Sequence, residues 1–249
     1  MLAPVWFHEK RKSPLYQGRR THLTTMVRLP TVPKMSTVGN TLATFPVCLW
    51  LTGLPASGKT TLSEALEKAL KQDGLSVVVL DGDCIRAALS PQLGYSRVDR
   101  HANVVRIAHL AVESLSHADV VIVAAVSPYR DARDEARAIV GAAGIFLEVH
   151  VDTPVETCIR RDPKGLYAKA LAGEIVGFTG VDGTYERPRD PEVHVSREPM
   201  GMDEAVACVL AKLSPVLRSA ESEWSISVIG NHGSCSPVWG EAQAGLQSP

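Results

Sequence analysis

The feature that most constrains this chain is a complete phosphate-binding loop. Residues 53–60 read G-L-P-A-S-G-K-T and match the pattern G-x-x-x-x-G-K-[ST]. The apolar run 45–51 before the loop predicts a buried strand, and the segment 60–72 after it predicts a helix with an apolar stripe. A strand, this loop and a helix in that order form a phosphate-binding site, so we expect the chain to bind a nucleoside triphosphate.

The loop pattern also assigns roles to its residues. Backbone N–H groups of the turn point at phosphate oxygens, Lys59 supplies a positive charge for the β- and γ-phosphates, and the Thr60 hydroxyl can hold Mg²⁺. We therefore expect ATP as the donor and Mg²⁺ as the cofactor. The predicted nucleotide-binding residues are Gly53, Leu54, Pro55, Ala56, Ser57, Gly58, Lys59, Thr60 and Thr61.

The alternation of apolar runs and helical patterns predicts the fold. The expected elements are strands at 46–51, 76–80, 119–126, 145–151 and 192–195, and helices at 59–72, 101–117, 130–142, 154–160 and 202–213. Short apolar runs that alternate with helices are typical of parallel strands covered on both faces. We expect an α/β fold of the three-layer α/β/α P-loop kinase type, with a mainly parallel sheet and ligands beyond the carboxyl ends of the strands.

Composition divides the chain into a core and two ends. Residues 1–34 carry seven Lys and Arg against one acid, whereas the remaining 215 residues carry 19 basic and 26 acidic residues. We expect 1–44 to be a basic extension, either a transit peptide or, as we favour, a stretch before the true start. Residues 45–215 are the expected P-loop domain, and 216–249, rich in Gly, Ser and Pro, the expected disordered tail.

Charge, hydropathy and cysteine content exclude several classes of function. The acidic core lacks the basic face of a nucleic-acid-binding protein, and no window approaches the roughly 18 apolar residues of a membrane span. Five cysteines form no C-x-x-C pair, and we expect Cys48 and Cys208 to be small core residues. Eight histidines are scattered without metal-ligand spacing, so we expect a cytoplasmic protein without structural zinc.

Polar residues follow three of the predicted strands. Asp152 is followed by Thr-Pro and is expected to be a helix N-cap. The D-G-D motif at 81–83 is either an ordinary turn or a carboxylate pair beside the γ-phosphate. Because the third strand ends at Ser127 without the Asp that many P-loop proteins use for the metal, we favour a catalytic and metal-binding Asp81.

Six segments together resemble the adenylyl-sulfate kinase family, which phosphorylates the 3′-hydroxyl of adenosine 5′-phosphosulfate (APS) with ATP. The matching segments are G-L-P-A-S-G-K-T at 53–60, D-G-D-x-x-R at 81–86, L-G-Y-S-x-x-D-R-x-x-N at 93–103, S-P-Y-R-x-x-R at 127–133, R-D-P-K-G-L-Y at 161–167 and G-F-T-G at 177–180. A phosphate loop alone is shared by many activities, whereas this ordered series is specific. It departs from the family at Cys84, usually Asn, and at Tyr95, more commonly Phe.

The resemblance implies how the acceptor is bound. Tyr95 and Phe178 could sandwich the adenine, while Arg86 and Arg100 could clamp the phosphosulfate in forked geometry. Asn103 can recognise a ribose or base edge through its amide. The expected substrate-binding residues are Asp83, Arg86, Tyr95, Arg100, Asn103, Arg106, Lys164 and Phe178.

The resemblance also bears on catalysis. The long Gly-rich segment 160–189 resembles the family's mobile lid, from which Arg161 and Lys164 could approach the transferring phosphate. Ser127 matches a position described in the family as a phosphoserine intermediate, so Lys59, Asp81 and Ser127 are the candidate catalytic residues. We favour direct transfer, in which Asp81 positions the acceptor hydroxyl and Ser127 is not needed.

Two other functions stay open at this stage. Another small-molecule P-loop kinase would share the loop, but it would not need the set of residues that matches APS recognition. A non-catalytic ATP-binding partner of an ATP sulfurylase is disfavoured because Lys59 and Asp81 are retained. The expected partners are ATP and APS, and a homodimer and an association with an ATP sulfurylase stay open.

Overall fold

Five parallel strands form the centre of the structure, a computed structural model that describes residues 45–198 and 200–230, with side chains of the last helix up to residue 217. The strands are β1 (Val47–Thr52), β2 (Val77–Asp81), β3 (Val120–Ala124), β4 (Ile145–Asp152) and β5 (Val193–Ser196). Their order in the sheet is β2-β3-β1-β4-β5, and each neighbouring pair is parallel. The predicted α/β fold and parallel sheet are confirmed.

Helices connect the strands and cover both faces of the sheet. In the described residues they are α1 (Lys59–Gln72), α2 (Gly82–Leu89), α3 (Arg97–Leu115), α4 (Arg130–Gly141), α5 (Val155–Arg161), α6 (Leu166–Leu171) and α7 (Met202–Gly230). None of these helices combines the length and the apolar character that a bilayer crossing requires.

The alternation of side chains along the strands divides the core between the two faces. On β1, Leu49 and Leu51 pack with α1 and α7, whereas Cys48 and Trp50 pack with α2, α3 and α4. All six residues of β1 are buried, since helices cover this central strand from both sides. The three layers therefore follow from the period-two pattern of the strands.

Two helices were missed and one begins earlier than predicted. Helix α2 has eight residues and starts inside the D-G-D motif, whose turn-forming residues conceal it. Helix α6 has six residues within the Gly-rich segment 160–189. Helix α3 begins at Arg97 rather than at 101, because the Ser96 side chain accepts a hydrogen bond from the Asp99 N–H and caps it.

Helix α7 is longer than predicted. It continues through Pro215 to Gly230, although we expected it to end at 213 and expected a disordered tail from 216. Val216 and Leu217 pack on the core and extend the apolar stripe past the proline. The expectations for residues 1–44 and 231–249 lie outside the described residues.

The cysteine predictions are confirmed at one position and wrong at another. Cys48 is fully buried in β1. Cys208 is exposed on α7, where Ala205 and Val209 occupy the core-facing positions. An apolar helical segment therefore does not place each of its small residues in the core.

Replacing Leu66 on α1 tests the packing of the helical layer on the sheet. Leu66 is 0% exposed, so Leu66→Ala should lower the free energy of unfolding by about 2–5 kcal/mol in urea denaturation. Leu171→Ala is the matched control, because Leu171 is 61% exposed and should change stability by about 0.5 kcal/mol or less. Equal losses in the two variants would contradict the assigned packing.

Candidate active site

The phosphate loop lies between β1 and α1, beside the carboxyl end of β4. Gly53 has φ 153°, and a Cβ there would lie only 2.5 Å from the Val151 carbonyl oxygen, so no side chain fits. Gly58 has φ 100° and begins α1 in the left-handed conformation that glycine tolerates. The two glycines of the pattern are therefore both required by the backbone path.

Lys59 is buried against the loop that precedes it. Its ammonium group donates hydrogen bonds to the carbonyl oxygens of Gly53 and Leu54, at 3.0 and 2.7 Å, and to the Ser57 hydroxyl at 3.3 Å. Burial lowers the pKa of Lys59 to about 8, against the opposing effect of the Asp83 carboxylate. The loop thus contains a partly desolvated cation, which a bound phosphate would stabilise in its charged form.

Asp81 uses its two carboxylate oxygens for different contacts. Oδ1 accepts hydrogen bonds from the N–H groups of Asp83 and Cys84, at 3.0 and 3.1 Å, and so caps α2. Oδ2 accepts a hydrogen bond from the Thr60 hydroxyl at 3.2 Å. The D-G-D motif therefore starts a helix and at the same time places a carboxylate oxygen beside the P-loop threonine. Hydroxyl and carboxylate oxygens are ligands that suit Mg²⁺.

The segment around α6 contacts both the phosphate loop and the start of α2. Lys164 Nζ lies 2.5 Å from Asp83 Oδ2. Burial lowers the pKa of Lys164, but the hydrogen bond and the charge of Asp83 outweigh it, so the net change is upward. The Tyr167 hydroxyl donates to the Pro55 carbonyl oxygen at 3.1 Å. The first contact joins the expected lid segment to α2, and the second joins it to the phosphate loop.

Arg86 and Arg100 lie over the ring of Tyr95. Their guanidinium carbons are 4.4 and 5.5 Å from its centroid. Arg100 also donates hydrogen bonds to the Thr179 hydroxyl at 3.0 Å and to the Gly177 carbonyl oxygen at 2.8 Å, which connects α3 with the lid segment. In the part of the chain that the structure describes, the contacts of both guanidiniums are with neutral groups, so their charges are available to an anionic ligand.

Asn103 and Arg106 follow on α3 and differ in their surroundings. Asn103 is 8% exposed, and its Oδ1 has no hydrogen-bond partner among the described residues. A buried acceptor without a partner is uncommon and indicates a ligand that supplies a donor. Arg106 instead donates to the Leu89 carbonyl oxygen at 2.7 Å and to the Ser90 hydroxyl, which holds α2 against α3. These contacts give Arg106 a structural role and do not support the expected substrate contact.

The two expected aromatic residues have separate neighbours. Tyr95 is 67% exposed between its arginines. Phe178 packs edge-on against Tyr167, with ring centroids 5.0 Å apart. Arg100 donates to the backbone at both Tyr95 and Gly177, so it brings the two ring-bearing segments together. The structure thus places the Arg86, Tyr95, Arg100, Asn103 and Phe178 set around one end of α3.

Ser127 is enclosed in the core. It is 2% exposed, and its hydroxyl accepts a hydrogen bond from the Trp50 indole N–H at 3.0 Å and donates to the Ala125 carbonyl oxygen at 3.3 Å. The Ser127 carbonyl oxygen accepts a hydrogen bond from Arg133 at 2.6 Å. These contacts fix the turn after β3, and this geometry does not support the expected catalytic role of Ser127.

Asp152 is not a helix N-cap, and that prediction was wrong. Strand β4 continues to Asp152, and α5 starts only at Val155, after Pro154 and without a side-chain cap. The Asp152 carboxylate pairs instead with Arg187 at 3.3 Å and with His194 at 3.1 Å. The Asp-Thr-Pro sequence gave the correct helix start to within one residue but the wrong role for the aspartate.

Two arginines lie near the phosphate loop. The sequence analysis named Arg161 only as part of the lid segment, and it missed Arg197. A Cβ on Gly58 would lie 3.8 Å from Arg161 Nη1 and 3.9 Å from Arg197 Nε. Within the described part of the chain, Arg197 Nε is buried without a hydrogen-bond partner, and burial lowers the pKa of this group. Arg197 directly follows β5, so the rule that ligand-binding residues follow parallel strands would have found it.

A glycine-bounded loop, a buried lysine and a threonine–aspartate contact define a P-loop kinase. Residues 45–196 match the model of the adenylylsulphate kinase family. The chain is 46% identical over 167 residues to the adenylyl-sulfate kinase of Rippkaea orientalis, which covers 67% of this chain and 91% of that protein. This chain belongs to the adenylylsulphate kinase family and is a phosphoryl-transferring enzyme.

Two further relatives extend the comparison. The structure is similar to that of the Mycobacterium tuberculosis APS kinase in complex with AMPPNP and APS, with a TM-score of 0.64, 42% identity, and coverage of 69% of this chain and 99% of that one. The chain is also 47% identical over 178 residues to the bifunctional enzyme NodQ of Rhizobium tropici, of which it covers 27%. The family resemblance drawn from the six segments is confirmed.

Proton uptake on nucleotide binding tests the state of Lys59. A triphosphate favours the charged ammonium group, so binding at pH 8 should be accompanied by uptake of up to about half a proton per site. Calorimetric titration with a non-hydrolysable ATP analogue in buffers of different ionisation enthalpy measures this uptake. Lys59→Arg, which stays protonated, should lose that contribution. Equal uptake in the two proteins would contradict the assignment.

Proposed function

We propose that this site transfers the γ-phosphoryl group of ATP directly to the 3′-hydroxyl of APS, giving 3′-phosphoadenosine 5′-phosphosulfate and ADP. The observation that carries the direct route is the Asp81 carboxylate oxygen beside Thr60, together with the burial of the Ser127 hydroxyl. One carboxylate at the phosphate loop is sufficient for direct transfer, whereas a covalent phosphoserine needs an accessible nucleophile.

The donor side is built on the phosphate loop. Lys59 and the backbone N–H groups of the loop bind the phosphates, and Arg161 and Arg197 extend the positive surface around Gly58. Thr60 and Asp81 would hold Mg²⁺, and this ion would supply positive charge that neutralises the phosphates. Burial removes part of the hydration of the Lys59 and Arg197 charges before the nucleotide arrives. Bound phosphate therefore offsets the free energy lost by desolvating these two cations.

The acceptor side is built on α2, α3 and the lid segment. Arg86 and Arg100 carry positive charge that no described carboxylate neutralises, and they bind the phosphosulfate. Tyr95 and Phe178 supply flat surfaces for the adenine, and the unpartnered Asn103 Oδ1 accepts a hydrogen bond from the base or the ribose. A sugar or a shikimate acceptor would leave most of these groups without partners.

Asp81 orients the acceptor and removes its proton. In this mechanism the Asp81 carboxylate, whose Oδ2 lies 3.2 Å from the Thr60 hydroxyl, would accept a hydrogen bond from the 3′-hydroxyl. The hydroxyl oxygen attacks the γ-phosphorus as the bond to the β,γ-bridging oxygen breaks. The hydroxyl proton passes to the carboxylate, and ADP leaves with the bond electrons. The contacts of Lys164 and Tyr167 close the lid segment over the loop, which excludes water from the competing hydrolysis.

A partnership with an ATP sulfurylase extends this proposal. The Rhizobium tropici relative is bifunctional, and its matching part is only 27% of that chain, so a domain like this one occurs joined to a further sequence. An ATP sulfurylase makes APS, and direct delivery would supply a scarce substrate. The homodimer and the cytoplasmic location stay predictions. The four described cysteines are free thiols, which agrees with a reducing compartment.

Asp81→Asn separates the catalytic role of Asp81 from its role as a cap. Asparagine is as good an N-cap as aspartate, so α2 should remain folded while the proton acceptor is lost. We expect kcat to fall by about 10²-fold or more, with the affinity for metal-free ATP nearly unchanged. Steady-state kinetics and nucleotide titration measure the two effects.

Asp83→Asn is the matched control for that variant. It removes a carboxylate two residues away, and with it the ion pair to Lys164, so its main effect should be on the KM for APS. If Asp81→Asn retained the wild-type kcat, Asp81 would not be the proton acceptor.

Ser127→Ala distinguishes direct transfer from a phosphoserine route. The change leaves the buried Trp50 N–H without its acceptor, so the free energy of unfolding should fall by about 1–3 kcal/mol. The kcat of the folded variant should stay near the wild-type value, as measured below its unfolding temperature. Loss of turnover in a protein that remains folded would show that the hydroxyl takes part in the chemistry.

A further inference from the structure

Two histidines and an aspartate lie together on one face of the sheet at the β4–β5 edge. His150 of β4 and His194 of β5 are paired neighbours in the strand register, and Asp152 follows two residues after His150. Side chains at positions i and i+2 of a strand point to the same face. Neither the histidine spacing nor the D-T-P motif indicates this group, because strand pairing creates it.

The donor atoms of these three residues are close enough to share one ion. A ligand nitrogen or oxygen from each of His150, Asp152 and His194 lies within 4.8 Å of the other two, and His194 Nε2 is 3.1 Å from Asp152 Oδ2. Ligands at about 2.0–2.2 Å from a metal are separated from one another by somewhat more than 3 Å, so small side-chain rotations suffice. Two adjacent parallel strands hold the three residues in place.

Neighbouring aromatic rings hold the His150 imidazole in a fixed position. His150 is 5% exposed, and its ring stacks on Tyr185, with centroids 6.0 Å apart. The Tyr185 hydroxyl is in turn 3.0 Å from the Thr52 hydroxyl, which fixes the stacking partner. His150 and His194 also contact each other, with ring centroids 5.2 Å apart, so the two imidazoles are held side by side.

An ion could reach this group from one side. The His194 side chain is 52% exposed, and Asp152 lines a cavity of about 330 Å³ next to Leu54 and Ser196. Arg187 pairs with Asp152 at 3.3 Å and competes with a cation for it, but its own side chain is 68% exposed and can turn into solvent. An ion can therefore approach His194 and Asp152 from solvent, and the Arg187 guanidinium competes with it for the Asp152 carboxylate.

We propose that His150, Asp152 and His194 form a binding site for a divalent transition-metal ion of the Zn²⁺ type. Two imidazoles and one carboxylate suit Zn²⁺, Fe²⁺ or Ni²⁺, whereas Mg²⁺ prefers oxygen ligands alone. The site is therefore chemically distinct from the Thr60–Asp81 pair. Thr153, which follows β4, donates a hydrogen bond to Ser57 of the phosphate loop, and Thr52 at the end of β1 contacts the Tyr185 hydroxyl. The bound ion would therefore stiffen the end of β4 beside the nucleotide.

Zinc titration of the full chain tests the proposal. Wild-type protein competes with a chromophoric chelator for Zn²⁺, and the same titration is run on His194→Ala and Asp152→Asn. We expect the wild type to bind one more Zn²⁺ ion per chain than His194→Ala does. Asp152→Asn should bind this ion with an affinity that is lower by about tenfold or more. Arg187→Ala should bind Zn²⁺ more tightly than the wild type, because the competing cation is gone.

His101→Ala is the matched control. His101 also contacts carboxylates, Glu135 at 2.7 Å and Asp131 at 4.0 Å, but the described residues place no second histidine with this group, so the variant should bind like the wild type. Remaining histidines and cysteines are the same in each variant, and thermal unfolding without metal confirms that each one is folded. Equal zinc stoichiometry and affinity in the wild type and His194→Ala would overturn the proposal.

Discussion

The close approach of the phosphate loop to β4 is the constraint on which the rest of the site depends. Gly53 turns directly beneath the Val151 carbonyl oxygen, and the Thr153 hydroxyl donates to the Ser57 carbonyl oxygen at 2.8 Å. The loop is therefore clamped between β1 and β4, with α1 leading away from the sheet. Because all the strands are parallel, residues at the ends of β2, β4 and β5 lie at the same edge and can reach the bound phosphates.

Charge is distributed to match two highly anionic ligands, although the chain as a whole carries a net charge of −1. Arg161 and Arg197 lie beside the loop, and Arg86 and Arg100 lie over the Tyr95 ring without carboxylate partners among the described residues. Positive side chains that lack carboxylate partners raise the local concentration of an anionic ligand. Arg161 lies near Arg197 and Arg86 lies near Arg100, and these like charges repel one another without a ligand, so ligand binding should also stabilise the fold.

The sequence allowed much of the fold and part of the site to be predicted, because both depend on local patterns. Five apolar runs and the P-loop located the strands, and the motif series indicated Lys59, Asp81 and the candidate acceptor residues, whose roles stay predictions. The side-chain contacts that decide roles were not accessible: Ser127 is buried by Trp50, and Arg106 joins two helices. Short helices such as α2 and α6 carry too few residues for periodicity to reveal. The His150, Asp152 and His194 group is created by strand pairing, which no spacing rule records.

The stereochemistry of transfer tests the central claim, that the phosphoryl group passes directly to the acceptor, most directly. ATP with an isotopically chiral γ-phosphoryl group is converted with APS, and the configuration at phosphorus in the product is determined. A single in-line displacement, which the positions of Asp81 and Ser127 support, predicts inversion. Retention of configuration would require two displacements and would contradict the account.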